Sequence, residues 1–102
     1  MPDLDWYSIE QLAWPTDWTA EFGREAPLLM EIGFGSGQFL SRLAQQMPEA
    51  NILGIEISLP SLRNAARKIQ RADLNNVRLL LCDGPGCAYL IVLSKQPERG
   101  IH

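Results

Sequence analysis

Hydrophobic and polar positions along the chain alternate between two grammars. Leu28 to Ile32 is a short apolar run bounded by Pro27 and by glycines, which predicts a buried strand. From Gln38 the apolar residues Phe39, Leu40, Leu43, Ala44 and Met47 recur at helical spacing until Pro48 stops them. The same order returns at once. Ile52 to Glu56 predicts a second strand, and Leu62, Ala65, Ala66 and Ile69 give the following helix its buried stripe, with Pro60 in the first turn where a missing N–H costs little. Asn75-Asn76 makes a turn into a third strand, Val77 to Leu81, and the apolar run from Cys87 to Leu93 predicts a short buried helix. A polar loop from Gln96 to His102 closes the sequence. Strand–helix repetition with crossover helices predicts an α/β fold with about three parallel strands in a three-layer α/β/α arrangement.

Residues 1–26 differ in kind. They hold Trp6, Trp14 and Trp18 together with Tyr7 and Phe22, and predict one short helix over Asp17 to Phe22 with Gly23 as its cap. We read these aromatics as anchoring an N-terminal lead segment on the surface of a domain formed by 27–102, the alternative being a platform for stacking bases.

Composition narrows the class. The chain has 102 residues, is 46% hydrophobic and 21% charged, and carries a formal net charge of −3, so no global basic field marks it for nucleic acid. Met1-Pro2-Asp3-Leu4-Asp5 is acidic and lacks the apolar core of a signal peptide, and Cys87 to Leu93 is too short to span a bilayer. Cys82 and Cys87 do not have the usual zinc spacing, so we read them as reduced core thiols in a cytoplasmic protein and expect no metal.

The chemistry gathers at the strand ends. Glu31, Glu56 and Asp83 end the three successive strands, and in a parallel sheet those ends line one edge. Gly33, Gly35 and Gly37 follow the first strand, allowing backbone angles and close approaches that a side chain would obstruct. A strand, a glycine turn and a helix form the place where an open α/β sheet binds a nucleotide-like ligand. S-adenosylmethionine suits an acidic rim, because its amine and sulfonium are cationic and its ribose and adenine offer further donors. Glu56 stands near the interval at which an acid meets a bound ribose. A dinucleotide fits less well, since its fingerprint wants a small residue where Gln38 stands and a pyrophosphate would meet Glu31. The bland alternative is that the acids merely end strands and cap turns. Arg63, Arg67 and Arg71 form a row on the second helix, with Lys68 alongside; this is either an ordinary solvated face or a contact for RNA phosphates.

Leu29-Met30-Glu31-Ile32-Gly33-Phe34-Gly35-Ser36-Gly37, Gly54-Ile55-Glu56 and Ser61-Leu62-Arg63 together resemble the bacterial tRNA (guanine-N7)-methyltransferases. The Phe between the first two glycines is the distinguishing detail, and the resemblance runs from about Trp18 to Asp83. It implies a Rossmann-like class I methyltransferase fold, S-adenosyl-L-methionine as cofactor, and the guanine at position 46 of tRNA as target. It also implies that Glu31 lies near the methionyl part, Glu56 takes the ribose hydroxyls and Asp83 lies at the adenine end. The family continues into a fourth strand ending in Pro-Asp-Pro-Trp, which this sequence lacks, so no catalytic residue is assigned. We expect this chain to supply the cofactor-binding half: weak binding of the cofactor, no turnover alone, and self-association through the strand edge left unpaired at Leu28 to Ile32. The other readings are a non-catalytic adenosine-nucleotide-binding module and one part of a split methyltransferase.

Overall fold

A computed structural model describes residues 5–84 and 87. Four parallel strands form one sheet in the order β1-β4-β3-β2. They are β1 (Tyr7–Ser8), β2 (Leu28–Ile32), β3 (Asn51–Glu56) and β4 (Val77–Leu81), interleaved with α1 (Trp18–Phe22), α2 (Gln38–Gln46) and α3 (Leu59–Ala72). Helices cover both faces, so the architecture is the α/β, Rossmann-like one expected from the sequence.

Local chemistry sets the boundaries. Asp17 caps α1 by accepting from the Ala20 N–H at 3.2 Å, and Gly23 closes it in the left-handed region at φ 76°. Gly37, at φ 82°, opens α2, while Ser58 caps α3 by accepting from the Ser61 N–H at 3.3 Å. The strands alternate in register, Ile32 opposite Ile55 and Glu56 opposite Leu81. Ile52, Val77 and Leu79 therefore face α2 and α3, and Leu53, Ile55 and Leu80 face α1. A buried large apolar side chain contributes about 1.5–3 kcal/mol, and β3 places Ile52 on one face and Leu53 and Ile55 on the other.

The structure departs from the sequence reading in three ways. The sheet has four strands where about three were expected, because Tyr7–Ser8 pairs in parallel with Leu80 and Leu81. Its aromatic neighbours go deeper than a surface anchor: Trp18 is 1% exposed and packs with Phe22 against Leu53, Ile55 and Leu80. Cys82 and Cys87 form a disulfide, not the two reduced thiols expected, their Cα atoms standing at 5.7 Å, a bridgeable separation. The helix expected over Cys87 to Leu93 and the closing loop lie, apart from Cys87, outside the described residues.

Candidate cofactor site at the carboxyl edge of the sheet

The glycine turn between β2 and α2 is held from below, behind and beside. Gly33, Gly35 and Gly37 have φ of 71°, 61° and 82°, angles that other L-residues rarely take. The Gly33 N–H extends the β2–β3 ladder by donating to the Ile55 carbonyl at 2.8 Å. A Cβ on Gly37 would stand 2.6 Å from the Cβ of Ala65, so α3 presses directly on the turn. Phe34, 7% exposed, lies over Gly54 of β3, where an added Cβ would meet its ring at 2.9 Å and Leu40 at 2.6 Å. Lys68 reaches across from α3 and donates to the Ser36 carbonyl at 2.8 Å.

Glu56 ties this turn to the next. One carboxylate oxygen accepts from the Gly35 N–H at 3.0 Å; the other accepts from the Ile57 and Ser58 N–H groups, each at 3.0 Å. Its side chain is 7% exposed. An ionised carboxylate has about four acceptor positions, so a buried group bonded in this way keeps capacity for one more donor. That capacity is on the oxygen that accepts from the Gly35 N–H.

The other strand-end acids share the edge. Register places Glu31 level with Gly54, two rungs short of Glu56, and strand alternation puts both acids on the face that carries α2 and α3. Glu31 is half-buried. Asp83 follows the last ladder bond, from the Cys82 N–H to the Glu56 carbonyl at 2.9 Å, and is exposed. The structure thus brings Glu31, Gly33, Gly35, Gly37, Glu56 and Asp83 to one edge of the sheet. Arg63, Arg67 and Arg71 are exposed along α3.

Two features escaped the sequence reading. Ile32, Phe39, Ile57 and Leu59 are the exposed large hydrophobics of the described residues, at 69%, 55%, 68% and 36%, and all stand in or directly beside the two turns after β2 and β3. Apolar residues directly beside strand-end acids were the available signal. The second is the open space around part of the turn: a Cβ at Gly33 or Gly35 would meet nothing within 4 Å. An apolar rim, an unfilled cradle and a carboxylate with spare acceptor capacity fit an adenosyl group bearing ribose hydroxyls. Among the described residues there is no cluster of His, Cys, Asp or Glu side chains able to hold a metal, and no helix long and apolar enough to cross a membrane.

Comparison with known proteins identifies the family. A family model described as "Putative methyltransferase" matches residues 25–96. A tRNA (guanine-N(7)-)-methyltransferase of Thermotoga maritima is 46% identical over 69 residues, covering 68% of this chain and 22% of its own length. One from Thermus thermophilus is 44% identical over 80 residues, covering 78% and 26%, and one from Pectobacterium atrosepticum 41% over 75 residues, covering 74% and 31%. The chain therefore spans less than a third of the length of these relatives. The matched span runs through the glycine turn, the buried Glu56 and the arginine helix, and by that match the chain belongs to this methyltransferase family.

Proposed function

We propose that the glycine turn binds S-adenosylmethionine and that the protein transfers its methyl group to N7 of guanine 46 in tRNA, this chain supplying the cofactor-binding half. The observation that carries the reading is Glu56, buried and bonded to the backbone of both turns, with acceptor capacity left on the oxygen bonded to Gly35, a residue around which the turn is open. Glu56 takes a ribose hydroxyl, Glu31 lies toward the cationic methionyl amine, and Asp83 toward the exocyclic amine of adenine. Ile57 and Ile32 give the adenosyl group apolar walls. Arg63, Arg67 and Arg71 meet RNA phosphates. The cofactor-binding part is 27–102 behind the lead segment 1–26, and an RNA substrate of this kind goes with a cytoplasmic location. β2 has a single strand neighbour among the described residues, which supports self-association through its other side.

The bound cofactor supplies an electrophilic methyl on a sulfonium leaving group. Guanine N7 carries a lone pair and no proton, so the protein need not provide a general base. What the residues provide is position. Alignment of reactants is worth up to about 7–11 kcal/mol in favourable cases. Here it starts from a turn already fixed by Phe34, Lys68 and Glu56.

Calorimetry tests the reading. S-adenosylmethionine and S-adenosylhomocysteine are expected to bind and NAD not to. Glu56→Gln places an amide group against backbone N–H donors and removes the charge, and is expected to weaken the cofactor at least about tenfold, the ~1.4 kcal/mol worth of a charge-assisted hydrogen bond. Equal affinity of wild type and Glu56→Gln for S-adenosylmethionine, or no binding by wild type, would remove the proposal.

A further inference from the structure

α2 and α3 lie side by side on one face of the sheet, and neither contains an acidic residue. Between them they carry Arg42, Arg63, Arg67, Lys68 and Arg71, in a chain whose formal net charge is −3. Within the two helices the charged side chains are thus all cationic; the acid nearest in sequence is Asp73, which caps the carboxyl end of α3, away from the start of α2.

The two helices do not close completely on each other. A groove of about 230 Å³ runs between them, lined by Gln38, Ser41, Arg42, Gln45 and Lys68. The four α2 residues follow the i, i+3, i+4, i+7 spacing of one helical stripe, set apart from the stripe that buries Leu40 and Ala44. Their chemistry is consistent. A hydroxyl, two primary amides, a guanidinium and an ammonium can all donate, and no carboxylate faces them within the groove. Arg42 is exposed. An acceptor-only anion of tetrahedral shape suits such a lining, and a phosphodiester is one.

We propose that this groove seats a backbone phosphate of the RNA substrate, with Arg42 and Lys68 as its two cations. The inference rests on RNA being the substrate, and goes beyond it in naming a second contact region besides the arginine row. Lys68 gives the seat its position relative to the cofactor. Its ammonium donates to the Ser36 carbonyl at 2.8 Å, inside the glycine turn, and an ammonium has further protons to offer. The phosphate seat and the cofactor turn thus share one residue, which fixes the register of the RNA against the methyl donor.

The test is the binding of a tRNA transcript to the full chain, measured by fluorescence anisotropy across a salt series, for wild type, Arg42→Gln and the triple variant Arg63→Gln/Arg67→Gln/Arg71→Gln. Each phosphate contact contributes close to one unit to the slope of log affinity against log salt. Arg42→Gln is expected to weaken tRNA about three- to tenfold at low salt and to lower that slope by about one, while S-adenosylmethionine affinity measured by calorimetry stays at the wild-type value. If Arg42→Gln matches wild type in affinity and slope while the triple variant is weakened, RNA uses the arginine row alone and the groove proposal is wrong. Wild type that binds the methyl donor but no tRNA also overturns it and leaves the cofactor reading standing; wild type that binds neither removes both.

Discussion

The two ends of the sheet solve the same problem in opposite ways. At the amino end, polar groups are consumed by one another. Asn51, 1% exposed, accepts from Arg24 Nε at 2.9 Å and donates back to the Arg24 carbonyl at 3.1 Å, and the same guanidinium donates to the carbonyls of Pro48 and Ala50. Asn76, 5% exposed, donates to the carbonyls of Ala44, Met47 and Ala50 at 3.0–3.2 Å. At the carboxyl end, Glu56 is just as buried, but its bonds leave acceptor capacity beside an open cradle. Burial of a polar side chain therefore does not by itself mark a functional group. The distinction lies in whether its hydrogen-bonding capacity is used up within the chain.

Substitutions can press on that contrast, starting with the largest effect. Gly37→Ala adds a Cβ at φ 82° and 2.6 Å from Ala65, so a left-handed backbone cost and an overpacking cost add to about 2–5 kcal/mol. Urea denaturation should show that loss as a lower midpoint. Asn76→Ala strips the donor from three carbonyls and is expected to lose about 2–4 kcal/mol in the same measurement, with unchanged cofactor affinity in the folded fraction. Gly33→Ala meets nothing within 4 Å, so its stability cost should be about 1–2 kcal/mol from backbone angle alone. Its methyl projects into the cradle, and calorimetry should show several-fold weaker S-adenosylmethionine. A Gly33→Ala chain with wild-type affinity would mean that the cradle is not where the cofactor lies.

The smallest effect concerns β1. Burial, then the hydrogen bond and the charge of Glu21, push the Tyr7 phenol up from 10.0 to about 12; its hydroxyl donates to Glu21 at 2.8 Å. The folded chain thus favours the neutral phenol. Its contribution to stability is complete below about pH 10 and is lost as pH rises from 10 toward 12. Alkaline titration followed by absorbance should place Tyr7 near the upper value, and Glu21→Gln should bring it down. No change in that variant would show that the Glu21 contact contributes little to docking the lead segment.

How much of this could be read from the sequence depended on the range of the interaction. Leu28–Ile32 and the start of α2 at Gln38 agree with the sequence reading to the residue, because run length, glycine and helical period are local signals. Pro60 marks the first turn of α3 for the same reason. β1 was missed because a two-residue strand shows no alternation and its partner, Leu80–Leu81, stands at the other end of the described chain. The site residues were found as types in sequence, but their couplings were not. The sequence leaves Lys68 open between a solvated cation and a phosphate contact, since nothing in a sequence shows that a backbone carbonyl, here that of Ser36, is an acceptor. Asn75-Asn76 read correctly as a turn, yet its second member closes the amino end through bonds to residues more than twenty positions away.

The seat of Phe34 on Gly54 has one more consequence. Three glycines in five residues would ordinarily make a floppy segment, and ordering it on contact with a ligand would subtract from affinity. A ring lodged in a notch of the neighbouring strand moves that entropy loss to the folding step, so the segment meets its ligand pre-organised. Positions 34, 40 and 54 then form a single unit of variation: a side chain at 54 is tolerable only when both Phe34 and Leu40 give way.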